Sequence, residues 1–301
     1  MTLIIGFKCS EGIALVSDTK IVDMETGESS FESKILTPLE NTPFIVGAAG
    51  YVNLFNEFNR KIPEVVTNRI AQIRILNVQE LLKTGLTRQQ AIKYIHAVER
   101  CATTSLRLVQ DSEKVECKEL DFDVAEIELP HVYSEENFID DCKSLVKKIN
   151  SQSKDVSEPL ELLIGIRRPS DGILHLHHID SEGVEDEISD YFSIGSGYPF
   201  VKTFFSQVYD FSKGMNELVT QAFRTILYVT IVAKESSVGY TRESPPKSVI
   251  ILNDGKYGKM TFENEWQIID ELEKEMENFV NQIKQNKISE LKSKINSKVV
   301  L

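Results

Sequence analysis

Short apolar runs separated by polar turn residues fill the first fifty positions of the chain. TLIIGFKC (2–9) and IALVSD (13–18) are β-rich, and the intervening SEG suits a tight hairpin. ETGESS is polar and turn-like. ESKILTPL and PFIVGAAG read as two further strands, with Pro38, Asn41 and Pro43 in their connection. The spacing predicts a β-meander over residues 2–50. From Tyr51 to about Asp111 the pattern turns helical, and Ile92, Ile95, Val98, Ala102, Leu106 and Val109 recur near the 3.6-residue period behind Thr87 as an N-cap. Residues 113–130 are mixed, an extra hairpin or an irregular arm. SEENFIDDCKSLVKKIN (134–150) starts as a capped helix does, with serine ahead of glutamates. SQSKDVSEP is a loop. Strands return in LELLIGIRRP and GILHLHHID, and EGVEDEISDYFSIGSG closes a second meander. Helices follow at about 199–212 and 215–234 with Gly214 between them, then a last strand in PKSVIILND and a long charged helix over 264–298. Strands, helices, strands and helices in that order predict an α+β layered sandwich rather than a βαβ fold.

The 301-residue length and the lack of a clean linker favour a single domain with insertions. Apolar residues at 41% and charged residues at 27% place the chain among ordinary globular proteins. A formal net charge of −12 excludes a basic nucleic-acid footprint. No apolar stretch approaches the ~20 residues of a membrane span, and no basic region followed by an apolar run marks a signal peptide. The expectation is a cytoplasmic protein with Cys9, Cys101, Cys117 and Cys142 as free thiols. GxGxxG and P-loop patterns are absent, so no cofactor is indicated.

Three polar residues punctuate the first meander at a constant interval of sixteen positions: Thr2, Asp18 and Lys34. Singly they read as a β-branched strand residue, a turn former and a surface lysine. Together they meet a chemical need. A threonine hydroxyl is a weak nucleophile until a base takes its proton. The free α-amine of the same residue, with an ordinary pKa of about 7.7–8.0, can be that base. A nearby ammonium disfavours protonation of that amine, and a carboxylate holds the ammonium in place. Removal of Met1 would unmask the amine of Thr2; retention would displace it by about 3.5 Å.

The run TLIIGFKCSEGIALVSD, then ESKI, then VGAAG, resembles the opening of the proteasome β-type N-terminal nucleophile hydrolases. The resemblance implies a four-layer αββα sandwich and peptide-bond hydrolysis by an N-terminal threonine, with Thr2 as nucleophile and Lys34 and Asp18 as ammonium and carboxylate. The Gly50 N–H of Ala49-Gly50, reached through a connection two residues longer than usual, would form the oxyanion hole. Ser196, in Gly195-Ser196-Gly197, would lie close to the nucleophile; read without the resemblance, the same segment is a glycine-rich turn with an N-capping serine. The family's Asp-x-x-Ser-Gly segment has its poorest counterpart in KESSVGYT. Ser237 can take the serine position with Lys234 where the aspartate belongs; shifted by one, Glu235 and Gly239 match and the serine is lost. The resemblance covers roughly residues 2–60 and 160–252. It implies one domain over 1–260 with an enlarged helical insertion at about 61–159, and a C-terminal helical extension over 261–301. It also implies a polypeptide substrate and assembly into a homo-oligomer or ring, with an ATPase as a candidate partner. A proteasome-like protein ligase or transpeptidase and a catalytically silent structural subunit are the alternatives.

Two features stand apart from the resemblance. His175 and His177 in HLHHID share one strand face, but no third metal ligand is evident beside them, so they read as strand residues. Ile269, Leu272, Met276, Phe279 and Ile283 form a short a/d seam on the last helix, suited either to packing on its own domain or to a contact between subunits.

Overall fold

The protein was analysed as a computed structural model. The structure describes residues 2–22, 29–36, 44–101, 129, 131, 133–153, 157–168, 172–232, 238–241, 243–259 and most positions from 270 to 287. The expected arm at 113–130 lies almost wholly outside them.

The first strands are β1 (Ile4–Cys9), β2 (Gly12–Ser17), β3 (Lys20–Val22), β4 (Ser29–Phe31), β5 (Ile35–Leu36) and β6 (Phe44–Ala49). Helices α1 (Val52–Lys83), α2 (Arg88–Cys101) and α3 (Glu135–Gln152) follow. Next come β7 (Glu161–Arg167), β8 (Leu174–Ile179), β9 (Glu185–Ile188), β10 (Tyr191–Ile194), α4 (Tyr198–Val208), α5 (Met215–Val232), β11 (Lys247–Leu252) and β12 (Tyr257–Lys259). One five-stranded antiparallel sheet has the order β10-β1-β2-β11-β12 and a second the order β5-β6-β7-β8-β9; β3 and β4 pair as a separate hairpin.

Central strands apolar on both faces are what a sandwich covered by helices requires. Along β1, Ile4 turns into the space between the sheets, where it joins Ile13, Leu15, Ile45, Leu163, Leu176 and Ile251. Leu3, Ile5 and Phe7, on the opposite face, pack with Val201, Phe205, Leu218 and Ile226 of α4 and α5. The second sheet does the same: Phe44, Val46, Leu162 and Ile164 meet Phe55, Phe58, Ile62, Phe138 and Val146 of α1 and α3. The result is an α+β sandwich, as the element order predicts, with the four αββα layers that the resemblance implies.

The expected meanders are divided between the sheets. β1 and β2 stay in the first sheet while β5 and β6 enter the second, and β9 ends in the second while β10 crosses to pair with β1. Alternation within a strand shows which side chains are buried but not which sheet buries them. The helix expected over 199–212 stops at Val208. Asp210 Oδ1 accepts from the N–H and hydroxyl of Ser212, a local turn that competes with another helical turn. The helical pattern after Tyr51 breaks at Gly85, where φ is +95°. Thr87 caps α2 reciprocally with Gln90, and Ser134 caps α3 with Asn137. Cys9 and Cys142 are free and buried; the side chain of Cys101 and all of Cys117 lie outside the description. Of the C-terminal stretch, the described positions between 270 and 287 are helical. Glu273 accepts from the Tyr240 hydroxyl, Arg224 lies 3.8 Å from Glu275, and Phe279 and Ile283 are exposed.

Candidate active site

The β1–β2 ladder places Ile4 opposite Ser17, so the next pair outward is Leu3 and Asp18. There the ladder changes character. The Asp18 N–H still donates to the Leu3 carbonyl at 3.1 Å, but the Leu3 N–H is met by the Asp18 side chain, with Oδ1 at 2.9 Å. The same Oδ1 accepts from Lys34 Nζ at 2.8 Å, and Oδ2 accepts from the Gly239 N–H at 3.0 Å. Asp18 is fully buried, Lys34 is 3% exposed and Thr2 7%. The lysine sits just ahead of β5, and its carbonyl accepts from the Ala48 N–H at 3.1 Å, which ties it to β6. It is therefore a loop residue clamped at both ends rather than a surface lysine.

Burial pushes the Lys34 ammonium below the ordinary lysine value, with Asp18 opposing. Burial likewise pushes the Asp18 carboxyl up, against the pull of Lys34 and of the Leu3 and Gly239 N–H groups. Desolvation acts on both members of the pair, and the backbone donors hold the carboxylate in one orientation.

The Gly195–Gly197 turn closes over the other side of Thr2. Gly195 has φ +88°, and a Cβ there would stand 2.1 Å from the Thr2 carbonyl oxygen, so no other residue fits. The Gly195→Ala variant is expected to lose about 2 kcal/mol or more, from left-handed strain plus the backbone clash, read as a lowered urea midpoint. An unchanged midpoint would show that the turn does not need glycine. Ser196 follows, its Oγ buried and without a hydrogen-bond partner among the described residues. Gly50 directly follows β6 with φ +135°, and a Cβ there would meet the Pro159 carbonyl at 2.7 Å.

The structure thus brings Asp18, Lys34 and the Thr2–Leu3 backbone together, wraps Gly195–Gly197 around Thr2, and links Gly50 to Lys34 through β6. Ser237 lies outside the described residues. Among the described members of KESSVGYT, Gly239 reaches the site: its N–H holds Asp18 and its carbonyl accepts from the N–H groups of Thr19 and Lys20. The sequence offers Gly239 as one of two registers and contains no local signal that it meets Asp18. It also shows no third group beside His175 and His177, whereas the structure sets Glu135 of α3 against them.

The fold is proteasome-like. Its neighbours among solved structures include Anbu proteins. One is "Anbu (ancestral beta-subunit)" from Yersinia bercovieri, with TM-score 0.55, 17% identity, and 94% of this chain and 97% of that one covered. A Gly-1 mutant of Anbu from Hyphomicrobium sp. strain MC1 gives TM-score 0.53 and 14% identity over 95% of this chain and 97% of that one. A second Anbu structure from the same strain gives TM-score 0.54 and 14% identity over 94% and 97%. No family model matches the chain, and no curated protein matches it. These findings correct the resemblance drawn from the sequence: the chain is not placed in the proteasome β-type family. Anbu proteins are among its neighbours, and those superpositions run over nearly the whole chain, beyond the segments that carry the resemblance. Among the described residues no helix is long and apolar enough to cross a membrane.

Proposed function

We propose that this protein is an N-terminal threonine hydrolase that cleaves peptide bonds once Met1 is removed. Thr2 Oγ attacks the scissile carbonyl while the Thr2 amine takes its proton, directly or through a water. The Gly50 N–H holds the oxyanion, the amine then protonates the leaving group, and water hydrolyses the ester. Lys34 keeps the amine unprotonated and Asp18 orients Lys34. Ser196, held between the two glycines of the Gly195–Gly197 turn with its Oγ buried, is proposed to serve the amine, and Ser237 is proposed as a further supporting residue.

One observation carries this reading: a buried lysine and aspartate locked by a 2.8 Å bond, with the same carboxylate oxygen fastened to the first backbone N–H after Thr2. A buried ion pair is weak evidence for stability alone, and here it adjoins the one residue whose amine and hydroxyl could act together. The reading extends to a cytoplasmic homo-oligomer acting on polypeptides, with the domain over 1–260 and the tail over 261–301 as its parts.

Intact-mass analysis before and after a β-lactone or epoxyketone probe tests it. The expected result is a chain lacking Met1 that gains one adduct. A chain that keeps Met1 and gains none would overturn the hydrolase reading in favour of a silent structural subunit.

A further inference from the structure

We propose that Glu135, His175 and His177 form a binding site for a first-row divalent cation of the Zn²⁺ kind, independent of the hydrolase reading. One ligand atom from each lies within 4.8 Å of the other two, and all three residues are buried. The histidines leave β8 on the face turned toward the helices, two positions apart, and their rings stack with centroids 6.0 Å apart. Glu135 is the first residue of α3 and faces them across the layer boundary.

The orientation of each imidazole is set from outside. His175 Nδ1 lies 2.7 Å from Glu187 Oε1, and His177 Nδ1 lies 2.8 Å from Glu185 Oε1, within ion-pair distance though off a hydrogen-bond axis. Both glutamates belong to β9. In the β8–β9 register His177 faces Glu187 and Ile179 faces Glu185, so each histidine reaches the glutamate one diagonal step along. The repeated diagonal engages both Nδ1 atoms with β9 and leaves both Nε2 atoms off it, that of His177 directed at Glu135. A carboxylate on Nδ1 with Nε2 left to the cation is the arrangement by which proteins orient metal-ligating histidine.

The inner atoms gather between the strand and the helix. His177 Nε2 lies 3.2 Å from Glu135 Oε1. His175 Nε2 is buried and has no hydrogen-bond partner among the described residues. A buried ring nitrogen without a partner is an uncompensated loss of hydration, and native interiors rarely leave one. Arg168 Nε donates to Glu135 Oε2 at 2.8 Å, fixing the carboxylate and leaving Oε1 directed at the histidines. Two imidazoles and one carboxylate favour zinc and its first-row neighbours over calcium or magnesium, which prefer all-oxygen shells. Ligand atoms around tetrahedral zinc stand about 3.3 Å apart, so small side-chain rotations would close the present spread. Three protein ligands leave a fourth position for water. Bound there, the cation fastens the start of α3 to the sheet.

The test uses the full chain, stripped with EDTA and titrated with Zn²⁺ by calorimetry and with Co²⁺ by visible absorption. The expected result is one Zn²⁺ per chain at micromolar affinity or tighter, with a tetrahedral Co²⁺ spectrum and a raised melting temperature. His175→Gln with His177→Gln should weaken Zn²⁺ binding a hundredfold or more. Glu187→Ala, at a half-exposed position that leaves folding intact, should weaken it about tenfold. Absence of stoichiometric binding by the wild type overturns the proposal. Wild-type affinity in the double-histidine variant or in Glu187→Ala overturns it equally, since the metal would then lie elsewhere.

Discussion

Thr2→Ala is expected to abolish turnover of fluorogenic peptides, a loss of about 10³-fold or more, while the protein stays folded. The size follows from the role: without the hydroxyl no acyl-enzyme forms, and only binding and the oxyanion donor remain to accelerate attack by water. Stability should change little by comparison. Thr2 precedes β1, and its carbonyl makes the closest approach to the Gly195–Gly197 turn, including a long 3.5 Å contact from the Gly197 N–H. Deleting a hydroxyl and a methyl at this position costs about 1–2 kcal/mol, read as a small shift of the urea midpoint. Thr2→Ser keeps the oxygen and should retain part of the activity. Wild-type turnover in Thr2→Ala would remove Thr2 from the mechanism.

The second large effect belongs to Asp18. Asp18→Asn is expected to destabilise the protein by about 3–5 kcal/mol, because it leaves the Lys34 cation buried without a counter-charge. The amide cannot imitate the carboxylate here. One carboxylate oxygen serves the Leu3 N–H and Lys34, and the other serves the Gly239 N–H. An asparagine amide would present its NH₂ to one of these donors, donor against donor. Lys34→Met alone should cost less, since the carboxylate keeps both backbone partners. Combined with Asp18→Asn it should recover several tenths of the lost stability or more, because no unpaired charge remains, while activity stays absent. Urea unfolding of the two single variants and the double variant reads the coupling directly. If Asp18→Asn unfolds at the wild-type midpoint, the pair contributes nothing to the fold.

Much of the fold is legible in the sequence because burial leaves a local trace. The two-sided apolar character of IIGFKC, GIALVS and FIVGAA announces strands covered on both faces, and the caps at Thr87 and Ser134 are written within four residues of the helices they start. The candidate triad is legible for a different reason: Thr2, Asp18 and Lys34 lie within one stretch of the chain, so their spacing can be read. What escapes is pairing at a distance. No periodicity indicates that β10 leaves the second meander to join β1, or that the Gly239 N–H completes the shell of Asp18. Glu135 is hidden in the same way. It sits forty-two positions before His177 and reads as the first acid of a helix, the role its helix dipole would favour without any partner. The family is not legible in the same way, since short motifs can accompany a fold without identifying which branch of it a chain belongs to.

The contact between Asp18 and Gly239 joins residues 221 positions apart. A growing polypeptide therefore carries Asp18 and Lys34 long before it gains the donor that completes the carboxylate's shell. The surroundings of Asp18 are thus among the last to be finished, and the ordering of this corner of the sheet is deferred to the closing stage of folding.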